Sequence, residues 1–517
     1  GRAAVIASYV AAALALAAAV VGMLRWLRVA QREHYLPGSV TRFALRWARE
    51  SAVNTAIAVV GVLGAVGLWW LGGGASALLA VLVAALVAAF PVGLSVKGRT
   101  KRLAWTRRVR VLAAVTAALF LAIAALLALL PGPNLAAVVT AALLVPVIVD
   151  LALRLTLPFE RRAGRRFVDE AARRLRSVSP RVVAITGSYG KTSTKQYVRH
   201  LLGTTMSVLA SPASFNNMAG LSRTINEHLV PGTQVFVAEV GTYGPGEIRE
   251  ICSWLKPEVG VMASIGPVHL ERMGSLENIA KAKSEILENA SVGVLNIDAP
   301  HLAKVADEFS SRLAVMRCSV ADVRADVSAQ TGDGRLVVRR AGEVIADVAD
   351  PGAYPSNVAV AVAVALHFGV PVAEIARLLP SLPVPEHRQA VGRTQGGVTV
   401  IDDTYNANPA GARGALELLR RHGKDGGRRV VVTPGMVELG TLQERENAEF
   451  ASLAAQAATD VVVVGRTNRN ALLAGAASGS ARVHEFRRLP DAVAWVRENL
   501  GDGDAVLYEN DLPDHYP

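Results

Sequence analysis

A β-branched run, Arg181-Val182-Val183-Ala184-Ile185-Thr186, leads into Gly187-Ser188-Tyr189-Gly190-Lys191-Thr192-Ser193 and then into a helical pattern. Strand, glycine loop, Lys-Thr and helix, in that order, form a cradle for phosphate. Glycines let backbone N–H groups face phosphate oxygens, and the helix N-terminus adds positive potential. Lys191 can reach the terminal phosphates of a nucleotide, and Thr192 offers a hydroxyl to Mg2+. The loop is shorter than the standard Walker spacing, with Ile185 where that pattern has its first glycine. The bland alternative is a glycine turn that merely opens a helix.

Other residues gain meaning from their order after this loop. Alone, Glu239 at a strand end reads as a solvated charge, His269 as a satisfied polar residue and Lys283 as a helix-surface lysine. They stand in Glu239-Val240-Gly241, in His269-Leu270-Glu271 and in Ala280-Lys281-Ala282-Lys283-Ser284-Glu285, the last nine residues beyond Gly274. Ser214-Phe215-Asn216-Asn217-Met218-Ala219-Gly220 precedes them. Val294-Leu295-Asn296-Ile297-Asp298, Ile401-Asp402-Asp403-Thr404-Tyr405-Asn406-Ala407-Asn408-Pro409 and Gly435-Met436-Val437-Glu438-Leu439-Gly440 follow. Together these motifs resemble those of the Mur ligase family, over about 181–517. The last two are similar to the branch that adds D-alanyl-D-alanine to the muramyl peptide.

The resemblance implies an ATP-dependent, ADP-forming amide ligase. A substrate carboxylate attacks the ATP γ-phosphate, and an amine then displaces phosphate from the acyl phosphate. Two anions must meet, so cations must offset their repulsion. The family assigns that task to Lys191 and two Mg2+ ions. Thr192 and Glu239 are implied oxygen ligands, His269 a ligand of the second ion, and Lys283 a further ligand once carboxylated by CO2. Gly187, Ser188, Tyr189, Gly190, Ser193, Asn296 and Asn357 are implied ATP contacts. So are Asp402 or Asp403 at the ribose, with Tyr405 and Asn406 near the nucleotide. Asn216 and Asn217 fall in the substrate loop. Arg388, after His387, resembles a hinge arginine that reaches the phosphates when the third domain closes, with Pro383 and Pro385 stiffening the hinge.

The departures bear on substrate rather than reaction type. The family's soluble N-terminal domain, which holds a UDP-sugar, has no counterpart, and apolar segments stand in its place. The loop Gly352–Asn357 is shorter than the family's adenine-side pattern. Tyr508-Glu509-Asn510-Asp511-Leu512-Pro513-Asp514 replaces the usual Lys-Gly-Ser close.

The elements that must position these residues follow from the bulk sequence. Its 517 residues are too many for one core and suggest roughly three domains. Hydrophobic residues make up 51% and charged residues 19%, too apolar for an ordinary soluble chain. The net charge of +12 divides into +15 for residues 1–166 and −3 for the remainder. The basicity therefore belongs to the apolar segment, which lowers the prior for a nucleic-acid partner. Cys252 and Cys318 sit in no CxxC or Cys/His cluster, so a disulfide framework or structural zinc is not expected.

Five apolar stretches, about 3–24, 52–71, 75–96, 111–130 and 135–157, approach the ~20 residues of a membrane-crossing helix. The connections 25–49 and 97–110 and the segment 161–166 hold 17 Lys and Arg residues, whereas 72–74 and 131–134 hold none. The positive-inside rule then places the N-terminus outside and the catalytic domains in the cytoplasm, on a multi-pass cell-membrane anchor. Asp150 in the fifth stretch reads as a functional-site candidate or as an i,i+4 partner of Arg154. The expected domains are five transmembrane helices at 1–158, a juxtamembrane helix at 159–180, a central ATP-binding α/β domain at 181–384 and a Rossmann-like α/β domain at 385–517. The expected partners are membrane lipid, a lipid-linked acceptor, and an amino acid or dipeptide. A γ-glutamyl-type polymer synthetase and a nucleotide-driven transporter or sensor are the alternatives. Pore-like polar residues for a transporter are limited to Asn54, Asp150 and Arg154.

Overall fold

The computed structural model describes all residues except 1, 72, 99–101, 213–214, 384–389, 405–407, 423–425, 513–514 and 517. The chain divides into two compact units: Gly1–Ala163 with Gly465–Thr467 and Leu512–Pro517, and Gly164–Val464 with Asn468–Asp511.

The first unit is helical: α1 (Arg2–Arg32), α2 (Ser39–Glu50), α3 (Ala52–Leu68), α4 (Gly73–Ala89), α5 (Arg107–Leu127), α6 (Asn134–Leu143) and the start of α7 (Val145–Val178). By length and composition α1 and α5 could cross a membrane, and the bent pairs α2–α3 (117°) and α6–α7 (68°) would each add one if counted as a single span. The five expected spans are therefore not reproduced as five straight helices. Ser51, with extended backbone, accepts the Asn54 amide at 3.2 Å and starts α3 afresh after α2. Pro146 at the second position of α7 cannot donate to the preceding turn, so the expected helix at 135–157 breaks after Leu143. The stretch 75–96 is helical only to Ala89. Conversely, α7 passes through Pro158, which forfeits one amide donor, so no separate helix exists at 159–180.

Asn54 and Asp150 of this unit are engaged with backbone. Asn54 exchanges hydrogen bonds with the backbone of Val92, at 2.9 and 3.3 Å. Asp150 accepts the amides of Gly38 (2.9 Å), Val40 (3.3 Å) and Thr41 (2.7 Å). It thus caps α2 and, among the described residues, makes no ion pair with Arg154. Among the described residues, 30 of the 37 exposed large apolar side chains precede Ala163, so this unit turns apolar surface outward.

The second unit carries two sheets. In the first, β1 (Arg181–Thr186) lies between β3 (Val235–Glu239) and β4 (Val259–Met262), in the order β2-β3-β1-β4-β5-β6-β7-β8-β9. The other strands are β2 (Val208–Ala210), β5 (Val292–Asn296), β6 (Ala314–Ser319), β7 (Val327–Gly332), β8 (Arg335–Arg340) and β9 (Glu343–Ala349). Pairing is parallel from β2 to β7 and antiparallel across β7-β8-β9. The helices are α8 (Lys191–Leu202), α9 (Met218–His228), α10 (Glu247–Leu255), α11 (Leu270–Met273), α12 (Leu276–Ser284), α13 (Leu302–Phe309), α14 (Pro355–His367) and α15 (Val372–Leu378). The Ala/Val-rich α14 is apolar nearly all round because it lies in the core beside α8 and β5–β7. Cys252 and Cys318 are free and buried.

The second sheet has the order β10-β11-β15-β12-β13-β14. Its strands are β10 (Ala390–Arg393), β11 (Thr399–Asp403), β12 (Arg429–Thr433), β13 (Asp460–Val464), β14 (Arg482–Phe486) and β15 (Ala505–Glu509), with α16 (Pro409–His422), α17 (Gln443–Ala457), α18 (Arg469–Ala476) and α19 (Leu489–Asn499) between them. Only β10 runs antiparallel. The expected buried strands at 430–432, 461–464 and 505–507 are β12, β13 and β15.

Candidate functional site

Parallel register decides what meets the phosphate loop. Ile185 pairs with Glu239, and Thr186 pairs with Met262. The loops leaving β1, β3 and β4 therefore emerge together at the carboxyl ends of the strands, where open α/β sheets bind ligands.

Gly190 caps α8 with φ 73°, and a Cβ there would run into Oδ1 of Asn357 at the start of α14. The loop is fastened from behind. Ser188 Oγ donates to Gly266 O at 3.1 Å and accepts the Gly266 amide at 2.9 Å, and Ser264 Oγ accepts the Tyr189 amide at 2.7 Å. The Tyr189 ring lies against Gly266, where a Cβ would collide with it. Lys191 Nζ folds back to donate to Gly187 O at 2.6 Å. Ser193 is buried in the first turn of α8.

Thr192 Oγ1 lies 3.0 Å from Glu239 Oε2, the juxtaposition expected of two Mg2+ ligands. The same oxygen is 2.9 Å from Lys195 Nζ, and both side chains are almost fully buried. Asn216 Nδ2 donates to Glu239 Oε1 at 3.3 Å. Burial alone would raise the Glu239 carboxyl, but Lys195, then Lys191, and the hydrogen bonds from Lys195 and Asn216 hold it below the usual carboxylate range. Lys195 is a site residue that the spacing argument missed. It stands one turn after Lys191, and only its burial distinguishes it from a solvated lysine.

Lys283 is buried, with Nζ 3.3 Å from Gly187 O. Burial, and secondarily the charge of Lys191, hold it well below the ordinary lysine range. Lys283 rather than Lys281 thus faces the loop: Lys281 is exposed. His269, at φ 63°, directs Nδ1 to Glu438 Oε2 at 2.6 Å, while Tyr243 meets its ring edge-on with centroids 5.3 Å apart. Burial depresses its imidazole, and the hydrogen bond and charge of Glu438 work against that depression. Glu438, in Gly435–Gly440, is thereby brought to the implied metal ligand His269. Among the described residues no group of three or more His, Cys, Asp or Glu could hold a metal by itself. The oxygens of Thr192 and Glu239 nonetheless fit a Mg2+ that keeps phosphate and water as its other ligands.

The remaining residues divide. Asn217 caps α9, accepting the Gly220 amide at 2.9 Å. Asn296 is occupied with backbone, donating to Ala263 O at 3.0 Å. Asp402 Oδ1 accepts Thr404 Oγ1 at 2.6 Å. Asp403 is buried at the end of β11, beside Glu509. Glu509 accepts Thr433 Oγ1 at 2.7 Å, and burial pushes its carboxyl up to about 8. Arg388, with His387 and Pro385, lies outside the described residues, as do Tyr405 and Asn406.

Comparison with known proteins matches this geometry. Residues 185–365 match the Mur ligase middle domain, and 387–508 match the Mur ligase glutamate ligase domain. A Mycobacterium leprae UDP-N-acetylmuramoyl-tripeptide–D-alanyl-D-alanine ligase is 32% identical over 63% of this chain and 70% of its own length. MurF from Acinetobacter baumannii superposes with TM-score 0.59 at 25% identity, over 67% of this chain and 77% of that one. MurF from Thermotoga maritima in complex with ADP does so with TM-score 0.57 at 25% identity, over 67% and 80%. The phosphate loop, the carboxylate at the end of β3 and the two matched domains make this chain a member of the Mur ligase family, an ATP-dependent, ADP-forming amide ligase.

Proposed function

We propose that this enzyme joins a dipeptide amine, of the D-alanyl-D-alanine type, to the terminal carboxylate of a peptide on a cell-envelope precursor. The observation that carries the reading is Thr192 and Glu239 converging at 3.0 Å beside the phosphate loop, in a chain 32% identical to a UDP-N-acetylmuramoyl-tripeptide–D-alanyl-D-alanine ligase. The acceptor carboxylate oxygen bonds to the γ-phosphorus as the bond to ADP breaks. The amine nitrogen then bonds to the acyl carbon, loses a proton, and inorganic phosphate departs. Loop amides hold the phosphates, and Lys191 offsets the approach of the two anions. Mg2+, held by Thr192 and Glu239, would neutralise charge on the transferring group. Lys283 supports the carbamate reading, because burial favours the neutral amine, the form that traps CO2.

The helical unit is proposed to sit in the cell membrane, with the catalytic domains on its cytoplasmic side. Its outward apolar surface and its basic connections support that placement.

The test incubates the purified protein with ATP, a muramyl-tripeptide acceptor and D-alanyl-D-alanine. ADP, phosphate and a new amide mass are expected, with Lys191→Ala folded and inactive. AMP and pyrophosphate among the products, or ADP release with no amide for any dipeptide, overturn the reading.

A further inference from the structure

The helical unit contains a cleft of about 890 Å3 at the amphipathic α2 and the start of α7. Arg42, Arg46 and Arg49, at helical spacing along α2, line it with Arg154 of α7, against the carboxylates of Glu50 and Asp150. Asp150 is turned to the α2 amides, so the guanidinium charge of the lining exceeds what its carboxylates offset. Two of the arginines are held in place. Arg42 pairs with Glu33 at 3.2 Å. Arg46 lies over the Phe43 and Tyr516 rings, 5.0 and 5.3 Å from their centroids. Arg49 and Arg154 have no ion-pair partner among the described residues and are exposed. Leu45 and Leu151, 53% and 39% exposed, line the same cleft.

We propose that this cleft binds the phosphate or diphosphate head group of a membrane amphiphile. Planar guanidinium forks recognise phosphate oxygens in pairs, and two forks already fixed by packing lose little freedom on binding. Leu45 and Leu151 offer the first carbons of an acyl or prenyl chain an apolar wall. The four cations make the site selective for an anion; the leucines make it selective for an anion that carries a tail. A phosphorylated lipid meets both conditions and a free anion meets one. The inference goes beyond the ligation reading, and its outcome does not depend on whether ligation is observed.

The test uses the full chain in phosphatidylcholine nanodiscs with the nucleotide site saturated by ADP. Farnesyl diphosphate, farnesol and inorganic diphosphate are titrated by calorimetry. Farnesyl diphosphate is expected to bind at least ten times more tightly than either of its halves. Arg49→Gln/Arg154→Gln should weaken it at least tenfold while melting at the wild-type temperature. Arg49→Lys/Arg154→Lys, which keeps the charge and removes the forks, should fall between the two and serves as the second variant if the first fails to fold. Inorganic diphosphate binding as tightly as the prenyl compound means a free-anion site, and farnesol doing so means an apolar groove; either result overturns the proposal. So does undiminished binding in both variants.

Discussion

His269 Nδ1 lies 2.6 Å from Glu438 Oε2, and both residues hold left-handed backbone, at φ 63° and 64°. One comes from the loop after β4, the other from the loop after β12, so two sheets meet at a histidine and a carboxylate. Arg272 Nη2 stands 3.4 Å from the other Glu438 oxygen and fixes its rotation. A carboxylate at Nδ1 sets the tautomer and leaves Nε2 available to a ligand. Glu438→Gln should therefore raise the Mg2+ concentration for half-maximal rate, by about 10–100-fold. Initial rates across a Mg2+ titration check this; a lower maximal rate at unchanged Mg2+ dependence would assign Glu438 to docking alone.

Glu509 makes stability depend on pH. Its folded pKa is raised from 4.5 to about 8. Between those values the folded chain holds a proton that the unfolded chain has released, so stability falls as pH rises through the window and levels off above it. Glu509→Gln keeps the shape without the charge. At pH 9 it should melt about 3 °C or more above wild type, with the gain shrinking towards pH 5 in thermal scans.

Lys195 and Glu239 form a buried pair. Removing one partner strands the other, so Lys195→Met should cost about 3–5 kcal/mol. Mg2+ with ATP should narrow the gap, because a cation at Glu239 restores compensation. Denaturant unfolding with and without the nucleotide checks both parts.

Asp150→Ala deprives three amides at the start of α2 of their acceptor. A lost cap of this kind costs about 1–2 kcal/mol. Limited proteolysis should cut first near Leu36–Gly38, whereas Arg154→Ala should leave that segment as protected as in wild type.

The phosphate loop was legible because its information is local: strand, glycines, lysine and helix follow one another within some twenty residues. Glu239 and Lys283 stood out through their order after the phosphate loop, and the structure places them at the end of β3 and on α12. Lys195 was not, since a lysine one turn into a helix usually faces water, whereas here its ammonium is buried between Glu239 at the end of β3 and the Pro212 carbonyl in the loop after β2. The helix breaks were half legible. Pro146 and Ser51 carry the signals for them, but the apolar residues on both sides of Pro146 mask the first. Asp150 showed its charge but not its partners, because the amides of residues 38–41 lie more than a hundred positions away.

Asn357 stands against Gly190 at the mouth of the phosphate loop, and the rest of its helix is sealed in the main core. The phosphate loop is therefore backed by the first turn of a helix whose residues from Asn357 to Ala365 are all buried. Local melting at the loop would require the core to come apart, so site and core belong to one cooperative unit. On heating, affinity for nucleotide should disappear in the same step as the sheet, with no temperature interval in which a folded enzyme has lost its grip on ATP.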